Sequence, residues 1–228
     1  MRFLKPHRFL NTNYIMQKTL PLLFLAFFPI LLLAQPRFRA GAVAGLTASQ
    51  IDGDLSAGYN KIGLQGGLRV IARLKGRMET SMEILFSQRG CRNELVPNDA
   101  DPNPFALTLN YVEVPLQWHY KDWLVEFDDA KFNYYKTSFN IGLSYARLIS
   151  AKVDDETSWL SGVAPDYLRK NDLSFVLGFN FFANKRLGFT ARWNRWLFPM
   201  YDPRDYNPAP VSRSWRGHCL YFQTVYMF

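Results

Sequence analysis

Two cysteines and three histidines in 228 residues leave little material for a thiol or metal centre. No Cys-x-x-Cys pair and no His-Glu-x-x-His occurs, so no zinc site is legible and no metal or cofactor is expected. Lys and Arg are nowhere clustered in the way that grips a phosphate backbone, which excludes nucleic acid as a partner. Beyond residue 34 there is no apolar run long enough for a membrane helix, and no segment with a helical period.

The one long apolar run, Leu20–Leu33, has 14 residues and contains Pro21 and Pro29. A spanning helix needs about 20 residues. A retained anchor is therefore a poor fit, and the run reads as the core of a secretory signal peptide, with Lys18 before it and Ala34-Gln35 after it. Residues 1–34 are expected to be removed, leaving 35–228 as a single domain. Leu32 is a large residue for the third position before the expected cleavage, and Met16 would give a more ordinary start than Met1. Removing Arg2, Lys5, Arg8 and Lys18 with this segment lowers the net charge from +8 to +4, so part of the basic character belongs to export.

What the chain does have is aromatic residues, 16% of the total, dispersed by alternation. The last nine residues place Leu220, Phe222, Thr224, Tyr226 and Phe228 at a spacing of two, on one face of a strand. Such an aromatic ladder suits a strand that turns one face to lipid. Phe222, Tyr226 and Phe228 form a C-terminal signature through which the barrel-assembly machinery would be engaged. Similar alternation predicts strands near 37–48, 61–74, 77–90, 106–121, 132–149, 172–183, 186–199 and 213–228. Tight turns at 75–77 and 184–186 alternate with long loops rich in Asp, Asn, Pro and Gly. Short periplasmic turns and long extracellular loops are the asymmetry of an outer-membrane barrel. The segment near 122–130 is longer than that rule asks. The fold class is all-β: an eight-stranded antiparallel up-and-down transmembrane β-barrel.

Keeping the apolar faces of the second and third strands outward requires facing residue numbers to sum to an even number, and the shortest plausible register then sets Leu74 opposite Met78, Arg73 opposite Glu79 and Arg69 opposite Glu83. Opposite charges across a ladder are favourable, and an unpaired buried charge is costly. Glu113, His119, Lys136, Arg192 and Arg216 are read with the same inward parity. The resulting cluster of Arg69, Arg73, Glu79, Glu83, Glu113, Lys136 and Arg192 predicts a filled interior, because eight strands enclose room for little beyond side chains.

The stretches Gly45–Asp54, Gly58–Leu64, Glu83–Gly90, Leu109–Leu116 and Gly142–Leu148 occur in the order of a known family. The chain resembles the PorT-like outer-membrane β-barrel family from about residue 38 to the end. The resemblance implies a barrel in the outer membrane of a Gram-negative bacterium. Its named member is associated with the type IX protein secretion system, which makes secretion-system proteins conceivable partners. Cys91 stands where relatives tend to carry a small polar residue.

Other chemistry fits poorly. Gly142-Leu-Ser-Tyr-Ala146 lacks the final glycine of a nucleophile elbow and sits mid-strand. The acidic loop from Asp52 has Ala57 and Gly63 where a calcium loop requires Gly and Glu. Cys91 and Cys219 lie at different heights on their strands, which disfavours a disulfide. Ser212, Ser214 and His218 could suggest a lipid-modifying dyad, but nearness along one strand does not make one. A soluble lipid-binding barrel would hide its apolar face inward, against the terminal ladder. The expectation is a non-enzymatic barrel in the cell outer membrane, bathed in its lipid. It would act as a structural or interaction component through the loops 49–60, 91–104, 150–171 and 200–212, with Tyr201 and Tyr206 as a recognition surface. An accessory role in secretion is the alternative.

Unboiled protein extracted from outer membranes is expected to migrate faster on a gel than boiled protein. A soluble periplasmic product with unchanged mobility would sink the barrel reading.

Overall fold

The computed structural model describes residues 38–53, 58–92, 106–127, 133–154, 167–209 and 212–228. The expected signal peptide, residues 1–34, lies outside them, as do most of the loop 91–104 and much of 150–171. The described chain is a closed barrel of eight strands in sequence order. These are β1 (Phe38–Asp52), β2 (Lys61–Arg73), β3 (Met78–Arg92), β4 (Ala106–Val125), β5 (Tyr134–Asp154), β6 (Asn171–Phe182), β7 (Leu187–Trp196) and β8 (Arg216–Met227).

Alternation makes these strands. Outward positions carry Leu64, Leu68, Met82, Ile84, Leu116, Trp118, Phe139, Ile141 and Phe222, all exposed, while their inward neighbours are mostly polar or small, Leu85 being an apolar exception. Closure pairs β1 with β8 from Gly41↔Met227 to Asp52↔Arg216, and the Phe228 amide donates to the Ala40 carbonyl at 2.9 Å. The terminal ladder is thus part of the seam. Arg216, read from sequence as inward, instead lies on the outward face, because it shares parity with Phe222 and Tyr226.

Pairing between β2 and β3 sets Arg73 against Glu79 and Arg69 against Glu83. The tight turn between them is closed by the Leu74 amide donating to Met78 O at 3.0 Å, with Gly76 at φ 69°. At the β6–β7 turn, Asn184 Oδ1 accepts from the amides of Arg186 and Leu187, both at 2.8 Å. β4 and β5 run longer than alternation suggested, because their ladder extends β4 down to Val125↔Tyr134 and β5 up to Ala106↔Asp154. Trp123, at φ 55°, breaks the alternation there. A register shift at Asn110/Tyr111 reverses the inward parity of upper β5, so that Leu148 below it and Ala151 and Val153 above it all pack inward.

Small inward residues let the walls approach. A side chain at Gly142 would strike the Leu116 carbonyl oxygen and lie 2.8 Å from Gln117 Cα. The Gly-x-Ser stretch at 142–144 is therefore packing, not a nucleophile elbow. Gly142→Val is expected to prevent closure, since backbone cannot yield as a flexible side chain does. Loss of the fast-migrating unboiled band would register this; an unchanged band would contradict the contact.

Candidate functional site

The interior is built in layers. In the lower middle, Glu83 is the hub. Its carboxylate accepts from Arg69 Nε at 2.5 Å and from Arg192 Nη1 and Nη2 at 2.7 and 2.5 Å, with Gln117 Nε2 at 3.4 Å. All three charged side chains are enclosed. Arg192 comes from β7, more than a hundred residues away, and closure alone brings it to Glu83.

Above it, Glu113 accepts from Ser144 Oγ at 2.6 Å, Asn194 Nδ2 at 3.1 Å and Gln65 Nε2 at 3.2 Å. It pairs with Arg89 at 2.5 Å, and Arg89 reaches Asp172 at 3.2 Å. The Arg89 guanidinium is flanked by the rings of Tyr111 and Tyr221, 5.0 and 5.7 Å to their centroids. Cation–ring contact of this kind strengthens when water is excluded. Arg69, Arg89 and Arg192 thus face Glu83, Glu113 and Asp172, and the enclosed charges balance.

Below the Glu83 layer lies a neutral amide and hydroxyl layer. Asn180 Nδ2 donates to Asn140 Oδ1 at 2.9 Å, and Thr190 Oγ1 donates to Asn180 Oδ1 at 2.7 Å. Ser81 Oγ and His119 Nε2 are 2.7 Å apart. That is the spacing of a nucleophile and its base, but both residues are buried among interior side chains. His218, by contrast, faces Asp52 at 3.7 Å and the edge of Tyr59, with ring centroids 5.0 Å apart. It makes no described contact with Ser212 or Ser214.

The sequence-predicted cluster divides. Arg69, Glu83, Glu113 and Arg192 lie in the enclosed core. Arg73 and Glu79 sit at the periplasmic mouth, 3.8 Å apart, with Arg73 half exposed. Lys136 does not join the cluster: beyond Trp123 the alternation is broken, and Lys136 Nζ lies over the rings of Trp123 and Phe181, 4.5 and 5.4 Å to their centroids. Sequence reasoning missed Arg89, Asp172, Tyr111 and Tyr221. Arg89 could have been found by extending the odd-numbered inward parity of β3; its partners could not, because they meet only across the barrel.

The extracellular end is closed by an apolar cap. Ile51, Cys91, Leu107, Leu109, Trp196, Met200, Tyr201 and Trp215 form one buried cluster. Tyr201 bridges to Trp215 and stacks on Tyr206 at 5.8 Å, and Tyr206 Oη donates to the Tyr167 carbonyl at 3.0 Å. Tyr201 is fully buried, which corrects the expectation that it forms a recognition surface. A 3₁₀ turn at Pro203–Asp205 follows. There the Arg204 guanidinium and backbone amide hold the Asp202 carboxyl down at about 2. Its ionised form therefore persists through any ordinary acid range. No disulfide joins Cys91 and Cys219, and both are buried.

The chain matches the family described as outer membrane protein beta-barrel domain over residues 33–202, and it belongs to that family. Its place is the outer membrane. No curated protein matches it in sequence. Among solved structures it is similar to Ail of Yersinia pestis at 10% identity and a TM-score of 0.40, covering 83% of this chain and 98% of that one. It is also similar to Neisserial surface protein A, at 11% identity and a TM-score of 0.38, covering 84% and 97%. The N-terminal barrel of Pseudomonas aeruginosa OprF gives 8% and 0.32, covering 82% and 97%. These are likenesses of fold alone.

Glu83→Gln would leave two guanidinium groups sharing a neutral amide. Breaking a buried pair in this way costs about 3–5 kcal/mol, so the midpoint of denaturant unfolding should fall sharply. Glu79→Gln, at the wet mouth, should change stability by less than about 1 kcal/mol. Equal effects from the two substitutions would contradict the layered arrangement.

Proposed function

We propose that this member of the outer-membrane barrel family acts as a closed, non-conducting interaction component. Its extracellular end would present a surface to partners outside the cell. One observation carries this reading: the interior holds a charge-balanced core beneath an apolar cap, so little space remains for solute to pass. What meets a partner would then be the outer edge of the cap. Arg204, Arg213 and the Arg169–Asp205 pair, 2.6 Å apart, stand exposed there.

The narrower PorT-like affiliation, with an accessory part in type IX-like secretion, is the second reading. It is favoured by the motif order along the chain and by the broad apolar wall that a neighbouring membrane protein could meet. Either reading has the last strand, with Phe222, Tyr226 and Phe228, recognised by the assembly machinery before closure. Both also have residues 1–34 removed on export. Lipid modification by His218 draws no support from its neighbours, which are Asp52 and Tyr59.

In planar bilayers the purified barrel should give no steady conductance; a stable pore-sized current would overturn the closed reading. Photocrosslinkers placed at Arg204 and Arg213 in whole cells should give discrete protein adducts that are absent when the label is at Phe179. Adducts from Phe179 alone would instead favour a wall-mediated assembly of the secretion type.

A further inference from the structure

The two ends of the barrel interior differ in charge. The enclosed core matches three guanidinium groups with three carboxylates, and the extracellular end is apolar. Among the described residues the periplasmic mouth is neither balanced nor apolar. It opens into a cavity of about 680 Å³ whose described lining includes Arg39, Arg73, Lys121, Lys185 and Arg186, with Glu79 as the acidic side chain and Phe228 also on the wall.

The excess is not an accident of one hairpin. Arg39 comes from the start of β1, Arg73 from the end of β2 and Lys121 from lower β4, while Lys185 and Arg186 come from the β6–β7 turn. Glu79 is already engaged, by Lys121 Nζ at 2.8 Å and by Arg73 at 3.8 Å. Arg39 Nη2 is tied to the Lys185 carbonyl at 2.6 Å, which fixes its head group at the cavity. Like charges gathered around a concave, low-dielectric wall repel one another and focus a positive field into the space between them. Closure of the barrel does not require this, since β1–β8 pairing and the core above supply it.

The walls also carry Tyr134, Tyr135 and Phe182. Lys121 Nζ stands 4.7 Å from the Tyr135 ring centroid, and Tyr134 Oη donates to the Ala183 carbonyl at 2.9 Å, so these rings are held in place. The volume lies within the range of small-molecule sites, and its mix of anchored aromatic surface and convergent cations is what such sites use. Three of the five cations are arginines, whose forked donors match oxyanions. Because the cations come from β1, β2, β4 and the β6–β7 turn instead of one edge, a tetrahedral group with oxygens on all sides suits the site better than a planar carboxylate.

We propose that this vestibule is a binding site for a small phosphate-bearing polyanion entering from the periplasm. The same phosphoryl chemistry could be supplied by a dissolved phosphate ester or by the head group of an inner-leaflet phospholipid.

The test is calorimetric titration of the detergent-solubilised full-length barrel with pyrophosphate at 0.15 M salt. Saturable binding is expected, weakened about tenfold by Arg73→Gln or Arg186→Gln, roughly the loss of one charge-assisted contact. Glu79→Gln should tighten it about threefold by removing the competing carboxylate, a gain that misfolding cannot produce. Arg77→Gln is the control, since Arg77 pairs with Asp122 at 3.2 Å on the turn and does not line the cavity. Retained heat-modifiability would confirm that each variant is folded. Repeating the titration in nanodiscs separates the two sources. Unchanged affinity in phosphatidylglycerol discs would indicate a dissolved ligand. Competitive loss there, with affinity kept in phosphatidylcholine discs, would indicate the anionic head group. Absence of saturable binding to millimolar pyrophosphate, or an Arg77→Gln loss equal to that of Arg73→Gln, would overturn the proposal.

Discussion

The structure depends on one constraint: a backbone crossing lipid must satisfy its own hydrogen bonds, because nothing in hydrocarbon will do so. Strands can meet that demand only by closing on themselves. Closure between β1 and β8, twelve paired positions long, is therefore the interaction from which the rest follows. It fixes the two faces of every strand. It also brings β7 opposite β3 across the interior, which is how Arg192 comes to bind Glu83. A chain of eight strands that closes has a narrow interior, and its inward residues must pack, pair or be absent, as the glycines at 45, 67 and 142 are.

Buried ion pairs are poor sources of net stability, because desolvation offsets much of their attraction. Their use here makes sense as specification. Glu83 and Glu113 each bind partners from different strands, so a slipped register would strand charges on both sides of the mistake. A one-residue slip would also turn polar side chains to lipid. The polar interior penalises wrong barrels more than it rewards the right one. The apolar outer wall, which lipid solvates at every register of the same parity, cannot discriminate in that way.

Much of this was legible in the sequence, and the boundary of legibility is physical. Period-two alternation revealed eight strands and their outward faces, and the β2–β3 pairs followed from taking the shortest register that parity allows. Local rules failed where the backbone departs from alternation. Trp123, with positive φ, sends Lys136 toward the outer rings, and the shift at Asn110/Tyr111 turns Ala151 and Val153 inward. They failed again where contacts cross the interior, as between Arg89 and Asp172, 83 residues apart. Tyr201 was misread for a related reason. An aromatic in a proline-rich loop looks exposed until the loop is seen to fold over an open barrel end that needs covering.

The contrast between the two ends then becomes informative. An open barrel end exposes the same kind of inward surface at either side, and this chain treats the two differently. At the extracellular side, long loops supply Met200, Tyr201 and Trp215 to cover it with apolar packing. At the periplasmic side the described β2–β3 and β6–β7 turns are tight, and the cavity they border is open to water. Wet positions could hold neutral polar residues at no cost, of the kind that fill the buried Asn140–Asn180 layer just above. Cations drawn there from three strands and a turn repel one another, and among the described lining residues Glu79 is the acidic side chain that relieves them. Self-repulsion of that kind is a standing cost to the folded state, and an anion held among those side chains would remove it.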